Sequence, residues 1–280
     1  MKPYTVTRMN DNTWQIAEVY HLPAALPMYL VVGTEKAALI DTGIGMENLR
    51  ETVEEITDLP VSVYNTHAHL DHAAGNHRFD RAYMHFSEEQ AARNADGFNT
   101  DARREFVELK CMYDPEREAI REFSRDHMME YDPEYDIFYI EDGDEIDLGG
   151  IVLKAVSCPG HTLGSMVYVD EKNRNAFCGD SLNPRSSIGM FPGSPTVSTY
   201  VNSLERLLEL TPDIERYYVG HRLYSFSRED VKDVLACARE ITEGAEGEPY
   251  PMVVSRRGPL WGRIHWYNGK RITFQLDNVH

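Results

Sequence analysis

The sequence predicts an α/β protein, and three observations carry that expectation. Short apolar or alternating runs of strand length recur along the chain, and segments with helical spacing separate them. One apolar run, Val61 to Tyr64, stops directly at a cluster of histidines, an order that suits a site at the carboxyl end of a sheet strand. At 280 residues, with 42% hydrophobic and 10% aromatic content, the chain can form one large α/β domain or two small ones.

The elements follow in order. Trp14 to Tyr20 partly alternates, Met28 to Val32 is a buried-looking run, and Ala37 to Ile40 is a strand ending in Asp41-Thr42-Gly43. A helix is expected over Met46 to Ile56, where Leu49, Val53 and Ile56 recur at helical spacing. Residues 87–147 read as a helical insertion. Ser87-Glu88-Glu89-Gln90 resembles a helix start, and Glu105 to Met112 and Pro115 to Met129 have helical composition. Phe106, Leu109, Met112, Ile120, Phe123 and Met128 give it an apolar face, suited to a lid over the site or to a homodimer contact. No Gly/Ser/Pro-rich linker brackets it, so a single domain over 1–280 is expected. Strands return at Ile137 to Ile140, Ile151 to Val156, Met166 to Val169 and Asn175 to Cys178. Val201 to Leu210 and Arg228 to Ile241 are expected helices, and Arg216 to Val219 is a strand leading into Gly220-His221. Residues 252–276 read as a basic hairpin turning at Asn268-Gly269.

Composition excludes some partners. A net charge of −18 opposes nucleic acid, whose phosphates require clustered Lys and Arg. The first residues, MKPYTVTRMNDNTW, hold no apolar stretch of signal-peptide length. The most apolar segment, His21 to Gly33, contains two prolines and is too short to span a bilayer. A cytoplasmic protein without membrane contact is therefore expected, and Cys111, Cys158, Cys178 and Cys237 are expected as reduced thiols. Charge is unevenly spread. Glu130 to Asp147 carries nine acidic residues and no Lys or Arg, whereas Met252 to Leu276 carries Arg256, Arg257, Arg263, Lys270 and Arg271 with no acid. The basic segment either holds an anionic small-molecule substrate or forms a solvated strand face.

The chemistry lies in Thr66-His67-Ala68-His69-Leu70-Asp71-His72, with Pro159-Gly160-His161-Thr162, Gly179-Asp180 and Gly220-His221 further on. His67 and His69, two apart in extended chain, project to the same side and can reach one ion. His161 would complete its nitrogen shell. Asp71 and His72 project differently, toward a second ion about 3.5–4 Å away, joined by His221, with Asp180 bridging both. Two Zn2+ per chain is the expectation, with iron or manganese as alternatives. The histidines at 21, 77, 85, 127, 265 and 280 show no such clustering, and His265 is the one considered as a substrate contact.

These motifs resemble the signature of the metallo-β-lactamase superfamily, with Asp41 similar to its earlier aspartate motif and ordered matches from about Leu39 to His221. The resemblance implies a four-layer αβ/βα sandwich, in which two mixed sheets flanked by helices carry the metals at one edge. It implies that Asp41 supports the metal loop by hydrogen bonds without binding metal, and Thr162 and Ser165 are either similar supports or turn residues. His69 stands where the family's diiron flavoproteins carry glutamate, which favours zinc. Ser181-Leu182-Asn183 follows Asp180 where acyl-homoserine lactonases carry a tyrosine. The ligand set matches that of glyoxalase II enzymes, although their glutathione-binding helical domain is not recognisable.

The resemblance implies a hydrolase in which a bridging hydroxide attacks an ester, thioester, lactone or amide carbonyl, with Asp71 or Asp180 relaying its proton. Candidate leaving-group acids or substrate contacts are Tyr200, Tyr224 and the tyrosines of 131–139, with Arg256, Arg257, Arg263 and His265 as further substrate contacts. Two other functions stay open at this stage. One is a mononuclear iron oxygenase of persulfides using His67, His161 and Asp180, and the other is a non-catalytic binding protein on the same fold.

Overall fold

A computed structural model of the protein describes residues 4–18, 25–47, 49–112, 115–191, 193–255 and 258–280. A seven-stranded sheet runs in chain order through β1 (Tyr4–Arg8), β2 (Thr13–Glu18), β3 (Leu26–Val32), β4 (Ala37–Ile40), β5 (Val61–Tyr64), β6 (Ala82–Met84) and β7 (Ile137–Tyr139). β1 to β4 pair antiparallel, and β4 to β7 pair parallel. The continuous apolar run Ala37-Ala38-Leu39-Ile40 is wholly buried, as a strand covered on both faces must be.

A six-stranded mixed sheet contains β8 (Glu145–Asp147), β9 (Val152–Ser157), β10 (Met166–Asp170) and β11 (Asn175–Phe177). β12 (Arg185–Ser187) leaves it, and β13 (Arg216–Tyr218) and β14 (Ser225–Phe226) complete it. A third, four-stranded sheet joins β12 to β15 (Glu248–Ser255), β16 (Gly258–Tyr267) and β17 (Lys270–Phe274). The expected C-terminal hairpin is thus half of a larger element. Asn268 and Gly269, at φ 44° and 78°, form its tight turn, but β15 begins at Glu248 and adds a second hairpin.

The chain divides into two compact units, one of residues 1–140, 146–152 and 221–223, the other of 141–145, 153–220 and 224–280. The first holds α1 (Leu49–Glu54), α2 (Leu70–Ala73), α3 (Glu89–Ala92), α4 (Ala95–Phe98), α5 (Thr100–Lys110) and α6 (Arg117–His127). The helical insertion ends there, because residues 137–139 and 145–147 are strands. Its apolar face is packed: Ile120 and Met128 are buried in the first unit's core, with Phe106 and Phe123 against it. Arg103 of α5, fully buried, donates to the backbone oxygens of Phe98, Ile44, Gly45 and Met129 and so ties the helices to the loop after β4.

The second unit holds α7 (Val197–Leu210) and α8 (Arg228–Thr242), whose buried faces share a core with β9 to β11. α7 starts where the Thr196 hydroxyl accepts from Thr199 N, and α8 starts in a capping box of Ser227 and Asp230.

Candidate metal centre

In the first unit, parallel β5 ends at Tyr64 and releases the loop that carries His67 and His69 into α2, which carries Asp71 and His72. Asp41, at the end of neighbouring β4, organises this loop. Its Oδ1 accepts from Thr66 N at 2.7 Å, and its Oδ2 accepts from Thr66 Oγ1 at 2.8 Å and lies 2.8 Å from His72 Nδ1. A carboxylate only accepts, so His72 Nδ1 carries the proton and Nε2 presents its lone pair. Thr66 Oγ1, having donated its proton to Asp41, accepts from His67 Nδ1 at 3.1 Å, which turns the His67 lone pair to Nε2 as well. That Nε2 lies 3.1 Å from His69 Nδ1.

His221 returns to the same place. Its Nε2 is 3.5 Å from Asp71 Oδ2, and His72 Nε2 is 4.0 Å from that oxygen. Donor atoms of Asp71, His72 and His221 all lie within 4.8 Å of one another. With metal–ligand bonds of about 2.0–2.1 Å, neighbouring tetrahedral donors sit about 3.3 Å apart, so these slightly wider spacings and this imidazole–carboxylate chemistry fit a divalent metal ion that draws the donors together. Backbone strain marks the same spot, since Asp41 at φ 62° and His221 at φ 59° occupy the left-handed region that side chains ordinarily avoid.

In the second unit, the turn after β9 presents His161, whose Nδ1 donates to Ser187 O at 2.9 Å while Nε2 lies 3.6 Å from Asp180 Oδ2. Asp180 sits in the single 3-10 turn after β11. Two glycines beside these residues have steric reasons. A Cβ on Gly220 would stand 1.8 Å from Asp180 Oδ1, and one on Gly160 would stand 2.3 Å from the Tyr200 ring. Thr162 closes a turn: its N donates to Ser165 Oγ at 3.1 Å, and the two hydroxyl oxygens are 2.8 Å apart.

The substrate-contact expectations fare differently. Tyr200 is fully buried, its hydroxyl donates to Ser181 O at 2.7 Å, and burial pushes its pKa well up, so it packs rather than faces a substrate. Tyr131 donates to Ala92 O, Tyr135 accepts from Asn76, and Tyr139 donates to Glu89, so each is committed to structure. Arg263 donates to the carbonyls of Glu246 and Gly247, both at 2.8 Å, and thereby staples the start of β15. His265 Nε2 lies 2.6 Å from Glu240 of α8. Tyr224 is half-exposed, and Arg256 and Arg257 lie outside the described residues.

Sequence reasoning missed several supports. Asn65 Nδ2 and Thr42 N donate to His72 O at 3.1 and 2.8 Å, and Asn76 Nδ2 donates to Asn65 Oδ1 at 2.7 Å. Glu88 Oε2 accepts from Ala68 N at 2.9 Å. Asn65 and Thr42 adjoin the motifs and could have been suspected from that. Glu88 lies in a run that reads only as a helix start.

Residues 27–221 match the family model described as the metallo-beta-lactamase superfamily. The chain is 30% identical over 233 residues to the acyl-coenzyme A thioesterase MBLAC2 of Homo sapiens, covering 78% of this chain and 81% of that protein. It is 26% identical over 211 residues to a Synechococcus hydroxyacylglutathione hydrolase, covering 72% and 67%. A metallo-beta-lactamase family protein of Thermus thermophilus superposes with a TM-score of 0.61 at 20% identity, over 84% of this chain and 82% of that one. By motif, fold and relatives together, the chain belongs to the metallo-beta-lactamase superfamily.

Proposed function

We propose that this protein is a dinuclear-metal hydrolase of small-molecule thioesters. The observation that carries the reading is the convergence of Asp71, His72 and His221 donors within 4.8 Å, with His72 locked by Asp41 in the ligand tautomer. In this reading Asp71, His72 and His221 would hold one ion and His67, His69 and His161 the other, with Asp180 a ligand available to both. When bound, such a pair supplies Lewis acidity toward a carbonyl oxygen and lowers the pKa of water to about 7. The chain's own residues do the rest. Asp41 fixes the loop before substrate arrives, and Asp71 or Asp180 takes up the proton released as the nucleophile forms.

Two arguments favour thioesters over the esters, lactones and amides that the motifs also allow. The relatives named above are an acyl-coenzyme A thioesterase and a hydroxyacylglutathione hydrolase. The leaving group then matters less: an alkyl thiol ionises near about 8.5, so it departs as thiolate without a strong acid beside it. Of the tyrosines considered for that duty, Tyr131, Tyr135, Tyr139 and Tyr200 are held in structural hydrogen bonds, which leaves the half-exposed Tyr224.

The test compares acyl-coenzyme A, acylglutathione and matched oxygen esters on protein stripped of metal and reloaded with zinc, iron or manganese. Thioester turnover should require metal and vanish in His67→Ala, His69→Ala and Asp180→Ala. Wild-type turnover in the three folded variants, or a preference for oxygen esters, overturns the proposal.

A further inference from the structure

Glu88 has no place in the ligand set, yet it is 5% exposed, and a buried carboxylate is expensive unless something holds it. It also sits at the N-cap of α3, where a side-chain oxygen ordinarily accepts from the helix's own first amides, and it makes no such bond. Its Oε2 accepts instead from Ala68 N at 2.9 Å, the amide between His67 and His69. The segment bearing it is itself fixed, with Glu88 N donating to His85 O at 2.9 Å.

The topology gives this bond a counterpart. β4, β5 and β6 are adjacent and parallel. The histidine loop leaves the middle strand, Asp41 comes from the end of β4, and Glu88 comes from the segment after β6. Asp41 Oδ1 holds Thr66 N at 2.7 Å on one side of His67, and Glu88 holds Ala68 N on the other.

We infer that Glu88 is a positioning residue: with Asp41 it forms a two-carboxylate clamp that grips the histidine loop by its backbone on both sides of His67. The inference rests on the metal reading of that loop. Hydrogen bonds to an ionised acceptor are the stronger ones, so the clamp fixes the backbone angles of His67 and the exit direction toward His69 before any ligand arrives. Preorganisation of this kind lowers the cost of closing a metal shell.

The test uses the full chain loaded with zinc, in wild-type, Glu88→Ala and Glu88→Gln forms. Zinc release to a chelator should accelerate about 10- to 100-fold in Glu88→Ala, the range for lost ligand supports. Glu88→Gln, whose amide carbonyl can still accept, should recover the larger part of that loss. The Ala68 amide proton, followed by NMR, should be protected from exchange in wild type and shift in both variants. Unchanged zinc release in folded Glu88→Ala, or an Ala68 amide indifferent to both substitutions, overturns the clamp. If Glu88→Ala does not fold, Glu88→Gln and the Ala68 amide decide the matter. If wild type binds no zinc, the metal reading fails, and the Ala68 amide still tests the clamp.

Discussion

Asp41 acts twice at the candidate site, because one carboxylate sets both a backbone amide and a histidine tautomer. Asp41→Asn preserves volume but turns an NH2 group or a weaker carbonyl toward His72 Nδ1. The His72 proton then has reason to move to Nε2, where it blocks coordination. Zinc affinity should fall about 10- to 100-fold, measured by chelator competition, with the melting temperature nearly unchanged. An affinity equal to wild type would mean the tautomer is set elsewhere. The histidines and aspartates of the site are legible in sequence because metal chemistry admits few side chains and the spacings within 67–72 are dense. Glu88 and Arg103 are not legible. The hydrogen bonds described for them go to backbone atoms, which leave no mark on residue type, and both come from segments that read only as helix.

At the scale of elements, strands and helices were visible wherever composition and local chemistry agreed. The Asn268-Gly269 turn and the Ser227-Asp230 capping box are short-range devices that a sequence displays directly. Which strands share a sheet was not visible, so β12 and β15 were not expected beside the terminal hairpin. Asp230 joins two elements, capping α8 and accepting from Lys270 Nζ of β17 at 2.7 Å. Partial burial works to raise its pKa, but the bonds from Lys270 and Ser227 outweigh it and hold it below 3.8. A carboxyl depressed by folding contributes stability that is full above its unfolded value and lost as pH falls through its folded one. Asp230→Ala should therefore cost about 1 kcal/mol at pH 7, kept modest by solvent exposure. In urea titrations that difference should close below pH 3.8. A difference that persists undiminished at lower pH would assign the loss to packing and uncharged hydrogen bonding rather than to charge.

Across the whole molecule, the net charge of −18 would oppose the approach of the proposed substrate wherever that thioester is anionic. The basic segment near the C-terminus reads in sequence either as a holder of an anionic substrate or as a solvated strand face, and its described cations are engaged. Lys270 is paired with Asp230, Arg263 staples the start of β15, and Arg271 lies over the rings of Tyr250 and Trp266 at 5.1 and 5.4 Å. Coenzyme A carries several phosphate charges, so encounter is opposed by like charge, and salt relieves that opposition as the screening length falls to about 10 Å at 0.1 M. For acyl-coenzyme A, kcat/KM should therefore rise between low and physiological ionic strength. A neutral acyl-thioester of the same chain length should show no slope, since it feels no long-range field. The comparison separates approach from chemistry, because both substrates share the bond broken. A rate with acyl-coenzyme A that falls as salt is added would instead require a local cationic subsite strong enough to reverse the field of the whole protein.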